Sequence, residues 1–195
     1  MNLNGAIHLR TFKKLTLMPL SMCLSQKRKI YDYLGSLKVN NHSISSKTIR
    51  TFKDDDLERV LEIYAKSFEN KDPSQLVKYS KKFRNTLYIY EIDGVIVGYL
   101  GFYVHLMREG LNIVQKATAY SGAVDHNMRG RGIFTTIYTE SLPELKKNGV
   151  QVVYGYINVK NTRSLSVHQK LGFKIVKKID NYYGIDDGYK IELKL

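Results

Sequence analysis

Several shortages in this 195-residue sequence each remove a class of protein. There is one cysteine, Cys23, so neither a disulfide framework nor a cysteine metal site can form within the chain. The five histidines, His8, His42, His105, His126 and His168, are scattered and belong to no HExxH pattern. No metal site is expected. The longest apolar run, 15–24, is too short to span a bilayer, so no membrane partner is expected. There is no internal repeat and no heptad. There is no tryptophan, and no helix presents a single basic face.

Acidic residues are also few: 18 against 31 basic ones, a net charge of +13. The imbalance is uneven. Residues 1–46 hold seven basic residues and one acid, Asp32, for +6, which leaves +7 for 47–195. A moderate positive charge over the larger part suits an anionic cofactor or substrate and does not call for nucleic acid. Hydrophobic content of 43% and charged content of 25% are those of a soluble globular domain with a proper core.

Residues 1–46 read as a basic extension, disordered or auxiliary, or as the product of a start codon placed too far upstream. The next choice is a short helix over 27–37 docked on the domain. Lys13 and Lys14 before 15–24 resemble a secretory signal, but no small-x-small cleavage pattern follows. Met22 before Cys23 argues against a lipoprotein signal, and Arg10 and Arg28 are few for a transit peptide. The expected location is the cytoplasm.

From 46 onward the pattern is mixed α/β. A strand is expected over 46–52. Asp54, Asp55 and Asp56 then precede a helical pattern at Leu57, Val60, Leu61, Tyr64 and Phe68, and read as caps rather than metal ligands. A second helix is expected over 73–83. Two β-rich runs, 86–91 and 95–104, flank Ile92-Asp93-Gly94, a hairpin signal. A third run, 113–124, follows a loop near 108–111. A helix over 132–147 stops at Asn148-Gly149. The run 152–157 is apolar enough to be buried on both faces, which makes strand, helix and strand a right-handed parallel crossover. A helix over 162–171 and strands over 173–179 and 189–195 complete the chain. The loops 67–73, 104–111 and 179–188 are left to line an acceptor site.

The chemistry centres on Ala123 to Phe134, Ala-Val-Asp-His-Asn-Met-Arg-Gly-Arg-Gly-Ile-Phe. A strand runs into a turn holding Gly130 and Gly132, flanked by Arg129 and Arg131, and then into a helix. The first amides of a helix have no partner within it, and the helix dipole favours negative charge there. Glycine lets the backbone come close to an anion. The reading is a pyrophosphate cradle.

About 30 residues on, after the buried strand, stands Asn161-Thr-Arg-Ser-Leu-Ser-Val-His-Gln-Lys-Leu-Gly-Phe173. Together the two segments resemble the GNAT superfamily of acyl-CoA-dependent N-acyltransferases. Its Arg/Gln-x-x-Gly-x-Gly/Ala signature falls on Arg129, Gly132 and Phe134, the first two matching. Its Asn, short helix, aromatic residue and Leu-Gly-Phe are matched by Asn161, His168 and Leu171-Gly172-Phe173. The resemblance covers about 47–195, as one domain. It implies a mostly antiparallel central sheet with one parallel crossover and flanking helices, and acetyl-CoA as co-substrate. Amides of Arg129, Gly130, Arg131, Gly132, Ile133 and Phe134 would bind the pyrophosphate. The backbone of Ala123 and Val124 would hold the pantetheine arm, and Asn161 would contact it. The strand over 154–157 would splay away to open a slot.

Three positions depart from the family pattern. Phe134 stands where the family has Gly or Ala, so its side chain must point away from the phosphates. His168 stands where many members use a tyrosine hydroxyl on the departing thiolate; it is a candidate general acid, or else a hydrogen-bonded helix residue. Tyr156 stands where N-terminal acetyltransferases of the ribosomal-protein type carry a glutamate base. It is the catalytic candidate at that position, although tyrosine is a poor base near neutral pH. His126, Glu91 and Tyr120 are not assigned that role. Asn181-Tyr182-Tyr183 resembles the paired tyrosines with which those enzymes hold a peptide, and also reads as hairpin packing. The expectation is an N-acetyltransferase acting by direct attack of a primary amine, on a small molecule or a protein, as a monomer or homodimer. The alternatives are a non-catalytic acyl-CoA-binding module and, as a specific substrate class, protein N-termini.

Overall fold

The computed structural model describes residues 29–35, 44, 46–69 and 71–195. Short-range chemistry sets the first hairpin. Strands β2 (Leu87–Ile92) and β3 (Val95–Glu109) are joined by Asp93 and Gly94, both at positive φ, 50° and 77°. That is the mirror-image turn whose twist matches two antiparallel strands. Side chains on β2 then alternate between two cores. Leu87 and Ile89 face helices α1 (Leu57–Ser67) and α2 (Ser74–Lys82), whereas Tyr88 faces helix α3 (Ile133–Lys147). Val60, Ile63 and Leu76 close the first core, and Ile133, Ile137, Tyr138 and Leu145 the second.

The sheet has seven strands in the order β1-β2-β3-β4-β5-β7-β6. The remaining strands are β1 (Ile49–Thr51), β4 (Asn112–Val124), β5 (Val152–Asn158), β6 (Lys174–Tyr183) and β7 (Asp186–Lys194). Helix α4 (Thr162–Lys170) lies between β5 and β6 in the chain. Every neighbouring pair is antiparallel except β4 with β5, which α3 connects. The mixed α/β architecture and the single crossover are those expected.

Two expected loops are strands instead. β3 continues past 104 to Glu109 and pairs with β4 down to Glu109 opposite Asn112, leaving Gly110 and Leu111 as the turn. The polar residues in this stretch look loop-like, but pairing buries His105, Gln115 and Lys116, and Lys116 meets Glu109 at 2.5 Å. Likewise β6 and β7 reach Tyr183 and Asp186 with register shifts, so most of 179–188 is hairpin. The acidic triplet forms a 3-10 turn. Asp56 bonds the Lys53 amide at 2.6 Å and Arg50 at 2.7 Å, with no side-chain cap on α1.

Of residues 1–46, segment 29–35 is helical. It lies against β3 so closely that a Cβ at Gly35 would come within 2.7 Å of the Val104 carbonyl oxygen and 2.8 Å of His105 Cα. The signal, transit and start-codon readings fall on residues outside those described. Among the described residues no helix is long and apolar enough to cross a membrane, and no group of His, Cys, Asp and Glu could hold a metal ion.

Candidate active site

β4 and β5 pair only at Lys116, Ala117 and Thr118 opposite Val152, Val153 and Tyr154. Beyond that, β4 runs on to Val124 without further pairing to β5, while β5 stays on β7 as far as Asn158. A wedge therefore opens between two adjacent strands of one sheet, as expected for this stretch.

The turn at the end of β4 is held from outside. Asp125 accepts from the Asn127 amide at 3.1 Å and from Arg59 of α1 at 2.5 Å. Burial pushes its pKa up, but these two donors outweigh that and hold it below the ordinary carboxylate value. Arg129 donates from Nε to the Val124 carbonyl at 3.1 Å and from Nη2 to Ser67 Oγ at 2.8 Å. It braces the end of β4 to the end of α1. Gly132, at φ 77°, is the residue before α3. The first helical bond there runs from the Thr136 amide to the Gly132 carbonyl, so the amides of 133–135 have no acceptor within the helix. The first turn contains no acid to neutralise the dipole.

These elements surround a cleft of about 440 Å³. Ala123, Val124, Arg129, Gly130, Gly132, Ile133, Phe134 and Asn161, all singled out from the sequence, line it together. Arg131 does not. Ser67, Phe68, Met128, Arg163, Ser164 and Val167 line it too, and the sequence reading missed them. The signal for Arg163 and Ser164 was their place in the first turn of α4. Ser67 and Phe68 come from a helix that no local pattern ties to the turn. Asn161 caps α4, its Oδ1 accepting from the Ser164 amide at 3.0 Å.

Phe134 is in the wall. Its ring packs edge-on against Tyr138, 5.2 Å between centroids, and against His168, 6.1 Å. Gly122 of β4 makes room, since a Cβ there would stand 3.0 Å from Phe134 Cε2 and 2.7 Å from Leu100 Cδ1. His168 sits behind this ring, buried, and does not line the cleft. Its Nδ1–H donates to the Ser164 carbonyl at 2.8 Å and its Nε2 accepts from the Tyr138 hydroxyl at 2.9 Å. Burial lowers its pKa, only partly offset by the Ser164 carbonyl. The N–H that a general acid would give up is committed to the helix backbone.

On the α1–α2 face a row of rings leads away from the wedge. Tyr156 stacks on Tyr182 at 4.5 Å and 15°, and Tyr182 meets Tyr183 at 5.0 Å. Lys71, in the α1–α2 loop, holds its ammonium 5.4 Å from the Phe68 ring and 5.8 Å from the Tyr183 ring. Burial pushes the Tyr183 phenol up to about 12. Of the bases left open, Glu91 pairs with Arg50, and Tyr120 is packed edge-on against Tyr79 at 5.0 Å.

A model of the acetyltransferase (GNAT) family matches residues 57–173, and the chain belongs to that family. It is an acyltransferase, and acetyl-CoA is its acyl donor. The chain is similar to an N-alpha-acetyltransferase of Sulfurisphaera tokodaii, 27% identical over 143 residues, covering 69% of this chain and 84% of the relative. It also superposes on the crystal structure of Ard1 from Thermoplasma volcanium with a TM-score of 0.67, at 21% identity, covering 76% of this chain and 97% of that one. Arabidopsis thaliana Naa50, solved with the bisubstrate analogue CoA-Ac-MVNAL, superposes with a TM-score of 0.65 at 16% identity, covering 76% and 98%.

Proposed function

We propose that this acetyltransferase modifies the α-amine of protein or peptide N-termini. The observation that carries the reading is the wedge between β4 and β5. An anion-binding turn stands at one end of it, and a tyrosine row leads from its other side to the α1–α2 loop. A chain terminus laid along that row would bring its amine to the wedge. The names of the Sulfurisphaera tokodaii relative and the Naa50 complex agree with this acceptor class.

The residues fit the donor. The amides of Gly130 to Phe134 would hold the pyrophosphate, helped by a turn where a Cβ on Gly130 or Gly132 meets nothing within 4 Å. Arg163, on the cleft wall, adds positive charge. Val124 and Ala123 at the free end of β4, with Asn161 opposite, would carry the pantetheine arm. Acetyl-CoA supplies a thioester carbonyl open to attack by a neutral amine. Tyr182 and Tyr183 would hold the acceptor chain. Arg129 acts as a brace, and His168 as part of the wall behind Phe134. The site of action is taken to be the cytoplasm, where the donor is made, with the enzyme a monomer or homodimer.

The test is transfer of an acetyl group from acetyl-CoA to peptides that carry a free α-amine, a free lysine ε-amine, or both. Mass spectrometry of the products locates the new acetyl group. Acetylation confined to ε-amines would overturn the proposed acceptor class.

A further inference from the structure

One step of the reaction still lacks a residue. An acceptor amine is largely protonated at neutral pH and attacks only when neutral. Tyr156, at the position expected for a base, is stacked on Tyr182. We propose that Tyr154 and His105 form a proton relay, in which the Tyr154 hydroxyl takes the proton from the acceptor amine and His105 receives it. The proposal rests on the acetyltransferase reading above.

The argument is one of place. His105 of β3 stands opposite Lys116 of β4, and Tyr154 of β5 stands opposite Thr118. The Tyr154 hydroxyl lies 3.2 Å from His105 Nε2, and the contact is buried. β3 and β5 are two strand spacings apart, roughly 10 Å, so the phenol and the imidazole together reach across β4. They do so on the face that carries the acceptor row, because Tyr154 and Tyr156 alternate onto one side, with rings 6.1 Å apart. Thr118 is the last β4 residue paired with β5, so this bridge crosses β4 where the wedge begins.

Chain length brings the donor's sulfur to the same point. About thirteen bonds separate the pyrophosphate of coenzyme A from its sulfur, roughly 16 Å when extended. A strand rises about 3.3 Å per residue, so that arm spans about five residues. Laid along β4 from Val124, the arm would end near Ala119, next to Thr118.

The proton balance is simple. The ammonium gives a proton to the Tyr154 oxygen as the Tyr154 O–H passes its own proton to His105 Nε2. The amine becomes neutral, the imidazole becomes imidazolium, and tyrosine ends as it began. Burial pushes the Tyr154 phenol up, so it carries the proton without ionising. Two lysines near the pair have carboxylate partners of their own. Lys190 Nζ lies 4.9 Å over the Tyr154 ring and pairs with Glu192 at 2.5 Å. Lys116 pairs with Glu109. The Tyr103 ring is 4.9 Å from that of His105, and Gly35 of segment 29–35 packs against the His105 backbone.

The test compares the full chain with its His105→Gln and Tyr154→Phe variants, using acetyl-CoA and a peptide with a free α-amine, from pH 6.5 to 9.5. The expected result is a loss in kcat of roughly a hundred-fold at pH 7. That loss shrinks to a few-fold at pH 9.5, where the amine is neutral without help, and KM for acetyl-CoA does not change. His105→Asn is the second variant, and thermal melts separate misfolding from chemistry. An unchanged kcat, or an equal loss at both ends of the pH range, would overturn the relay. If the wild-type chain acetylates only ε-amines, the N-terminal reading fails by itself, and the same variants are scored on that acceptor. Coenzyme A binding with no transfer to any amine would overturn both.

Discussion

The Tyr138 hydroxyl donates to Nε2 of His168, and the opposite nitrogen of that ring donates to the Ser164 carbonyl one turn earlier. Both ring nitrogens are occupied by neutral partners, and the ring is enclosed by Phe134, Tyr138 and Phe173. His168 is thus a neutral part of the wall. His168→Gln keeps a donor and an acceptor, and should change kcat less than three-fold. A hundred-fold fall in kcat with acetyl-CoA affinity intact would make it the general acid.

The same histidine makes stability depend on pH. Its folded pKa lies below the ordinary value of about 6.5, so the unfolded chain takes the proton first as pH falls. Its contribution is full above about pH 6.5 and is lost below it, at up to ~1.4 kcal/mol per pH unit. Urea denaturation of wild type and His168→Gln between pH 5 and 8 checks this. The wild type should lose more stability on acidification, and superimposable pH profiles would refute it.

Gly122 and Phe134 should be coupled. Gly122→Ala drives a methyl group towards Phe134 and Leu100, and overpacking of this kind costs about 1–3 kcal/mol. Phe134→Ala opens space, so the double variant should be more stable than the sum of the two single changes implies. A double-mutant cycle by chemical denaturation measures the coupling, and strict additivity would show that the two sites do not meet.

Gly132→Glu should abolish coenzyme A binding in titration calorimetry. It forces a side chain into the left-handed backbone region, at roughly 1 kcal/mol or more, and adds negative charge beside the helix amides. Retained binding by a folded Gly132→Glu protein would remove the cradle assignment.

Lys71 lies between the rings of Phe68, which lines the cleft, and Tyr183, the proposed acceptor contact. An exposed cation–π contact contributes about 0.5–1 kcal/mol. Lys71→Ala should therefore raise KM for the peptide several-fold and leave KM for acetyl-CoA alone. Steady-state kinetics with each substrate varied in turn decides it.

What could be read from the sequence follows the range of the forces involved. Asp93-Gly94 announced its hairpin because turn chemistry is local. The glycine turn before α3 was legible because a helix start displays the same groups wherever it occurs. The amide of Arg129 was placed by its position in the turn, but its guanidinium bonds Ser67, 62 positions away, and no local pattern announces that. His105 and Tyr154 are 49 positions apart, and no spacing rule joins them. The far halves of β3 and β4 looked like loop because their polar residues are buried by pairing, which single-chain periodicity does not register. His168 shows both cases. Its bond to Ser164 was within reach of an i, i+4 reading, whereas Tyr138 is 30 positions away.

The β4–β5 ladder, three residue pairs long, has one further consequence. It is the seam between a four-stranded leaf, β1 to β4, and a three-stranded leaf, β5 to β7. Past that seam the two leaves lack the ladder bonds that hold every other neighbouring pair. On the proposed placement, a donor bound between them would act as a splint, replacing a missing strand. The enzyme should therefore be stiffest when it is ready to react, and loosest across this seam after the product has gone.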